Sequence, residues 1–114
     1  MPYRVTVRRG SAVRRSKLDT LEAALDAVES AAREAARTER PAPVELRVRR
    51  FEPADQVVAR IELTGPTRFA PDVRAGVDVR GNGAMTAYTG RSARRPVEER
   101  EDETALQALR RALG

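Results

Sequence analysis

The chain has 114 residues, with 22 Lys+Arg against 17 Asp+Glu, a net charge of +5 and no Cys, His or Trp, which is enough for one domain and too little for two. Its hydrophobic fraction is 40%, but 19 of those residues are Ala, so the expected core is single and thin. The missing residue types exclude a disulfide framework, a thiolate nucleophile, a Cys/His zinc site and a Ser-His triad.

Tyr3-Arg4-Val5-Thr6-Val7-Arg8 alternates apolar and polar, which predicts a strand with Tyr3, Val5 and Val7 on one face. Gly10-Ser11 suits a tight hairpin turn with Gly at the first central position. The predicted return strand, Ala12-Val13-Arg14-Arg15, is poor in apolar residues and reads as a charged edge. Leu18, Leu21, Leu25, Val28, Ala32 and Ala35 then recur at three- and four-residue steps, the pattern of an amphipathic helix. Asp19-Thr20-Leu21-Glu22 resembles a capping box with Asp19 as the acceptor, and Pro41 and Pro43 stop the helix.

Val44–Arg49 and Val57–Leu63 alternate in turn, with Val57, Ala59, Ile61 and Leu63 expected inward. Glu52-Pro53-Ala54-Asp55 between them is a turn sequence, so the two are expected to form an antiparallel hairpin. Val73, Ala75, Val77 and Val79 form the next apolar face, followed by Gly81-Asn82-Gly83. A three-residue loop sets Val79 opposite Met85 and Val77 opposite Ala87, keeping apolar with apolar. A two-residue loop sets Val79 opposite Thr86 and is disfavoured. The preferred register also lays Tyr88 against Gly76, where a ring can cover the glycine gap. Pro96 ends the basic segment that follows. After the acidic run Glu98–Glu103, Leu106, Leu109 and Leu113 mark a short helix opened by Thr104 and Gln107 at capping-box spacing. The short helix needs the sheet to stabilise it.

The expected fold is α+β, a two-layer sandwich of a mostly antiparallel five- or six-stranded sheet with one long and one short helix on one face, residues 1–114 forming a single basic domain. Met1-Pro2-Tyr3-Arg4 leads directly into the first strand pattern with no apolar leader, and Ala23–Ala36 is broken by charges. Cytoplasmic residence and no membrane association are therefore the expectation.

Of the 22 cations, 21 are Arg and only Lys17 is lysine. Arg suits bidentate phosphate recognition, yet Arg and Ala also share GC-rich codons, so position has to decide. Residues 1–17 hold six cations and no acid, whereas 18–43 hold three against six; 65–97 hold six against two, and 98–114 three against five. Strands are basic and helices acidic. With both helices on one face, alternation sends Arg4, Arg8, Arg47, Arg49, Arg60, Arg74 and Arg80 to the other, with Glu45, Glu62 and Asp78 among them.

The candidate anion-binding residues are thus Arg8, Arg47, Arg49, Arg60, Arg74, Arg80, Tyr88 as a stacking platform, and the tail cations Arg91, Arg94 and Arg95. The bland counterpart is a solvated face of cross-strand ion pairs. The acids Glu98–Glu103 are consecutive at a helix entrance, where the helix dipole accounts for them better than a metal does. Gly81-Asn82-Gly83 lies between strands and lacks the ending of a phosphate loop. With no His to activate a hydroxyl and no paired carboxylates around a pocket, the chain reads as non-catalytic, needing no cofactor or metal. RNA or DNA is the expected partner; a second copy in a homodimer, or an acidic protein, is the alternative.

Overall fold

The structure is a computed structural model that describes residues 3–38, 44–46, 49–51, 57–65, 73–90 and 94–113, with backbone alone at 38, 44–46, 49–51 and 73. Its main sheet has six strands: β1 (Tyr3–Arg9), β2 (Ala12–Leu18), β5 (Val57–Gly65), β6 (Val73–Arg80), β7 (Met85–Thr89) and β8 (Arg95–Pro96). Their order is β2-β1-β5-β6-β7-β8, and every pairing is antiparallel. Helices α1 (Leu21–Thr38) and α2 (Ala105–Leu113) share one face, α1 over β1, β5 and β6 and α2 over β6 and β7. This is the expected α+β sandwich. No described helix is long and apolar enough to cross a membrane.

The first hairpin turns on Gly10, whose φ of +59° is open to glycine at no steric cost, and Ser11 keeps a negative φ. Arg9 then faces Ala12, and the pairing runs down to Tyr3 opposite Leu18. The return strand therefore extends to Leu18, a residue expected to begin the helix stripe. The cap of α1 also differs from expectation: the Thr20 hydroxyl, not the Asp19 carboxylate, accepts from the Ala23 amide at 3.1 Å. Both residues are good caps, but β2 runs on to Leu18 and α1 opens at Leu21, which sets Thr20 at the boundary. In α2 the expected box closes in both directions, with Thr104 N–H donating to Gln107 at 2.9 Å and Gln107 N–H donating to the Thr104 hydroxyl at 3.2 Å.

The pairing of β5 overturns the hairpin expected between Val44–Arg49 and Val57–Leu63. Val44–Leu46 (β3) instead pairs with Arg49–Phe51 (β4) in a separate two-stranded sheet. The partner of β5 is β1, with Leu63 opposite Val5 and Ile61 opposite Val7. That register keeps the apolar residues of both strands on the helix side, which a nearby turn signal cannot reveal. A bulge between Val57 and Ala59 turns Val57 out of the inward set, leaving it 43% exposed.

The β6–β7 register is the expected one: Val79 faces Met85, Val77 faces Ala87 and Gly76 faces Tyr88. The loop closes through Gly83 N–H to the Arg80 carbonyl at 2.9 Å and Arg80 N–H to the Ala84 carbonyl at 2.8 Å. Gly83 lies at φ +89°. Asn82 accepts from the Ala84 amide at 3.0 Å, the short side-chain turn that Asn favours.

Val5, Ile61, Leu63, Val77 and Val79 from the sheet meet Val28, Ala32 and Ala35 of α1 and Leu106 and Leu109 of α2 in one buried cluster. Alanine at positions 24, 32 and 35 of α1, each fully buried, lets the helix sit close to the strands, so a thin apolar complement still closes the core. The helices are joined by Arg110, which donates to Asp26 and to Glu29 at 3.1 Å, while Arg33 also reaches Glu29 at 2.7 Å. These acid contacts hold the Arg110 guanidinium above its ordinary value.

Candidate polyanion-binding face

The sheet face opposite the helices is assembled from alternate residues, and the registers fix their rows. One row runs Lys17, Arg4, Thr64, Arg74 across β2, β1, β5 and β6. The next runs Arg15, Thr6, Glu62, Gly76, Tyr88, and the third Val13, Arg8, Arg60, Asp78, Thr86. Arg80 extends the face beyond Asp78 on β6. With strands ~4.8 Å apart, the first row spreads three cations over about 14 Å.

Only Glu62 and Asp78 are acidic among these positions, and each is engaged by an arginine. Arg8 and Arg60 stand directly opposite each other, which would be unfavourable for bare like charges. Arg8 turns to Glu62 at 3.1 Å, and Arg60 forks onto Asp78 at 2.8 and 3.3 Å. The hydrogen bond to Asp78 raises the Arg60 pKa against its partial desolvation. Arg4, Arg15, Lys17, Arg74 and Arg80 have no acidic partner among the described residues. Arg74 also keeps a buried Nε with no hydrogen-bond partner, a donor whose desolvation is uncompensated.

Tyr88 lies across Gly76, and its ring is 6% exposed. The Arg94 guanidinium sits 5.0 Å from the ring centroid, a cation–π distance. Its hydroxyl is buried without a partner, and burial pushes the phenol above its ordinary value. A base could stack on this ring only after Arg94 moved aside.

Arg8, Arg60, Arg74 and Arg80 therefore share the face with Tyr88, and Arg94 joins them through the ring. Arg95 does not: it faces Thr89, which lies in line with Ala75 on the helix side. Arg49 belongs to the separate β3–β4 sheet and so not to this face, while Arg47 and Arg91 lie outside the described residues. Arg15 and Lys17 are additions that sequence reasoning missed. Their signal was period-two placement opposite Thr6 and Arg4, obscured because β2 has no apolar alternation to mark its extent.

The described residues thus form a small two-layer α+β sandwich with a basic outer sheet face. No family model, curated protein or solved structure matches the chain.

Proposed function

We propose that the chain is a non-catalytic binding module whose outer sheet face takes a polyanion, RNA or DNA. The observation that carries this reading is the exhaustion of the face's two carboxylates by Arg8 and Arg60, which leaves Arg4, Arg15, Lys17, Arg74 and Arg80 unopposed by acids among the described residues. Cations so placed gain from phosphate oxygens and release condensed counterions. A cytoplasmic setting accords with such a partner.

The test is fluorescence anisotropy with a labelled 20-nucleotide single-stranded RNA and a DNA duplex at several KCl concentrations. Five phosphate contacts predict a slope of log K against log salt near about −3.5 for the single strand. Arg4→Glu with Arg74→Glu should weaken binding at least about tenfold, and Arg94→Glu less. Arg95→Glu and Arg37→Glu, on the helix side and on α1, should leave it nearly unchanged. Absence of saturable binding at 50 mM salt, or equal losses from all these variants, would overturn the reading.

A further inference from the structure

The two edges of the sheet differ in kind. At one end β8 has two residues, one of them Pro96, which has no N–H to offer a further strand. At the other, β2 has seven residues, and positions 12 to 17 are all exposed. The two-residue Gly10-Ser11 turn makes Arg9 and Ala12 a hydrogen-bonded pair, so Arg14 and Ser16 are also bonded to β1. The intervening residues Val13, Arg15 and Lys17 consequently direct their N–H and C=O groups away from the sheet. No strand of the described residues pairs with them.

A groove of about 620 Å3 runs beside this edge on the helix side. Ala12, Arg14 and Ser16 line it from β2, and Ala27, Ser30 and Ala31 from α1. Small residues on the helix leave width for side chains entering from an added strand. A second copy of this chain is a poor occupant, because antiparallel pairing of two β2 strands through their outward groups sets Arg14 on Arg14, Arg15 on Arg15 or Arg15 on Lys17, according to register. An acidic strand meets the same charges favourably.

We propose that β2 is a docking edge for an extended acidic segment of a partner protein, added as a seventh strand. Alternate carboxylates of the segment lie beside Arg15 and Lys17, and the intervening small apolar side chains enter the groove under Ala27 and Ala31. Arg15 and Lys17 serve both readings, whereas the edge amides and the groove take no part in the outer-face phosphate reading, so alternating amide protection separates the two.

The experiment uses an acetylated, amidated octapeptide alternating Glu and Val, with amide hydrogen exchange followed by NMR on the full chain at 150 mM salt. Saturating peptide should slow exchange at Val13, Arg15 and Lys17 at least about tenfold, while Arg14 and Ser16, already bonded to β1, change little. The same peptide N-methylated at alternate amides, in the frame that faces β2, should bind at least about tenfold more weakly, a control that leaves the protein unaltered. Val13→Pro, which removes an outward N–H and no bond to β1, should weaken the unmodified peptide similarly. Equal binding of both N-methylated frames and the unmodified peptide, protection without the alternation, or no binding at 1 mM peptide would each overturn the proposal. So would concentration-dependent protection of the same three amides in the protein alone, which would assign the edge to a second copy.

Discussion

Replacing Gly76 with alanine tests how tightly Tyr88 is seated on the outer face. A Cβ at position 76 would meet the Tyr88 hydroxyl within contact distance, Tyr88 Cζ at 2.6 Å and the Ile61 carbonyl oxygen at 2.6 Å. The ring can swing outward, at the loss of its burial and of the Arg94 contact. The carbonyl cannot, because it belongs to β5 in the middle of the sheet, where both neighbouring strands hold it in register. Overpacking of this kind costs about 1–3 kcal/mol, and the backbone contact places Gly76→Ala near the upper end. For a domain of this size that corresponds to a fall in Tm of roughly 10 °C. Urea denaturation followed by circular dichroism would measure it, together with Tyr88→Ala and the double variant. Removing the ring relieves two of the three contacts, so the double variant should be more stable than the sum of the singles predicts by about 1 kcal/mol. A Gly76→Ala protein within about 0.5 kcal/mol of the parent, or singles that simply add, would refute the reasoning.

The caps give a second comparison: Thr20→Ala should cost about 1 kcal/mol, and Asp19→Ala clearly less, since the Ala23 amide is bonded to Thr20; reversal of that order in urea titrations would reassign the cap. Asp78→Asn should destabilise by about 1 kcal/mol, because it weakens the fork that lets Arg60 stand opposite Arg8; an added Arg60→Gln should then cost little more. Glu103 is held below the ordinary carboxylate value of 4.5 by its hydrogen bond from Arg111, and next by that from the Arg100 amide. A folded pKa below the unfolded one contributes stability above about pH 4.5 that is lost as the pH falls through the folded value. Glu103→Gln should therefore flatten the acid side of the stability profile, and an unchanged profile would count against the contact.

What the sequence made legible was local, or alternated strongly enough to be unambiguous. The Gly81-Asn82-Gly83 loop set the β6–β7 register because only one loop length matched apolar with apolar. Thr104 and Gln107 announced a box closed within four residues. The choice between β3 and β1 as partner of β5 had no such marker: all three carry apolar residues at period two, and the nearer turn favours the wrong one. The same limit governed the basic face. Arg49 reaches the face only through a hairpin that does not form, and Arg15 and Lys17 carry no apolar alternation to mark them because β2 is polar on both sides.

That exchange altered the electrostatics in a definite direction. Glu45 and Arg49 belong to the separate β3–β4 sheet, whereas Arg15 and Lys17 add two cations to the face from β2, which contains no acid. On the helix side the order is reversed: Asp26, Glu29 and Glu103 are consumed by Arg33, Arg110 and Arg111, so the pairs there bind helix to helix and brace α2. Among the described residues, the helix layer thus pairs Arg33, Arg110 and Arg111 with acids, whereas the cations of the sheet face exceed its acids. An exterior anion of sufficient length is the species that could engage Arg4, Arg74 and Lys17 along one row, and the charge reversal at Arg4 and Arg74 addresses that row directly.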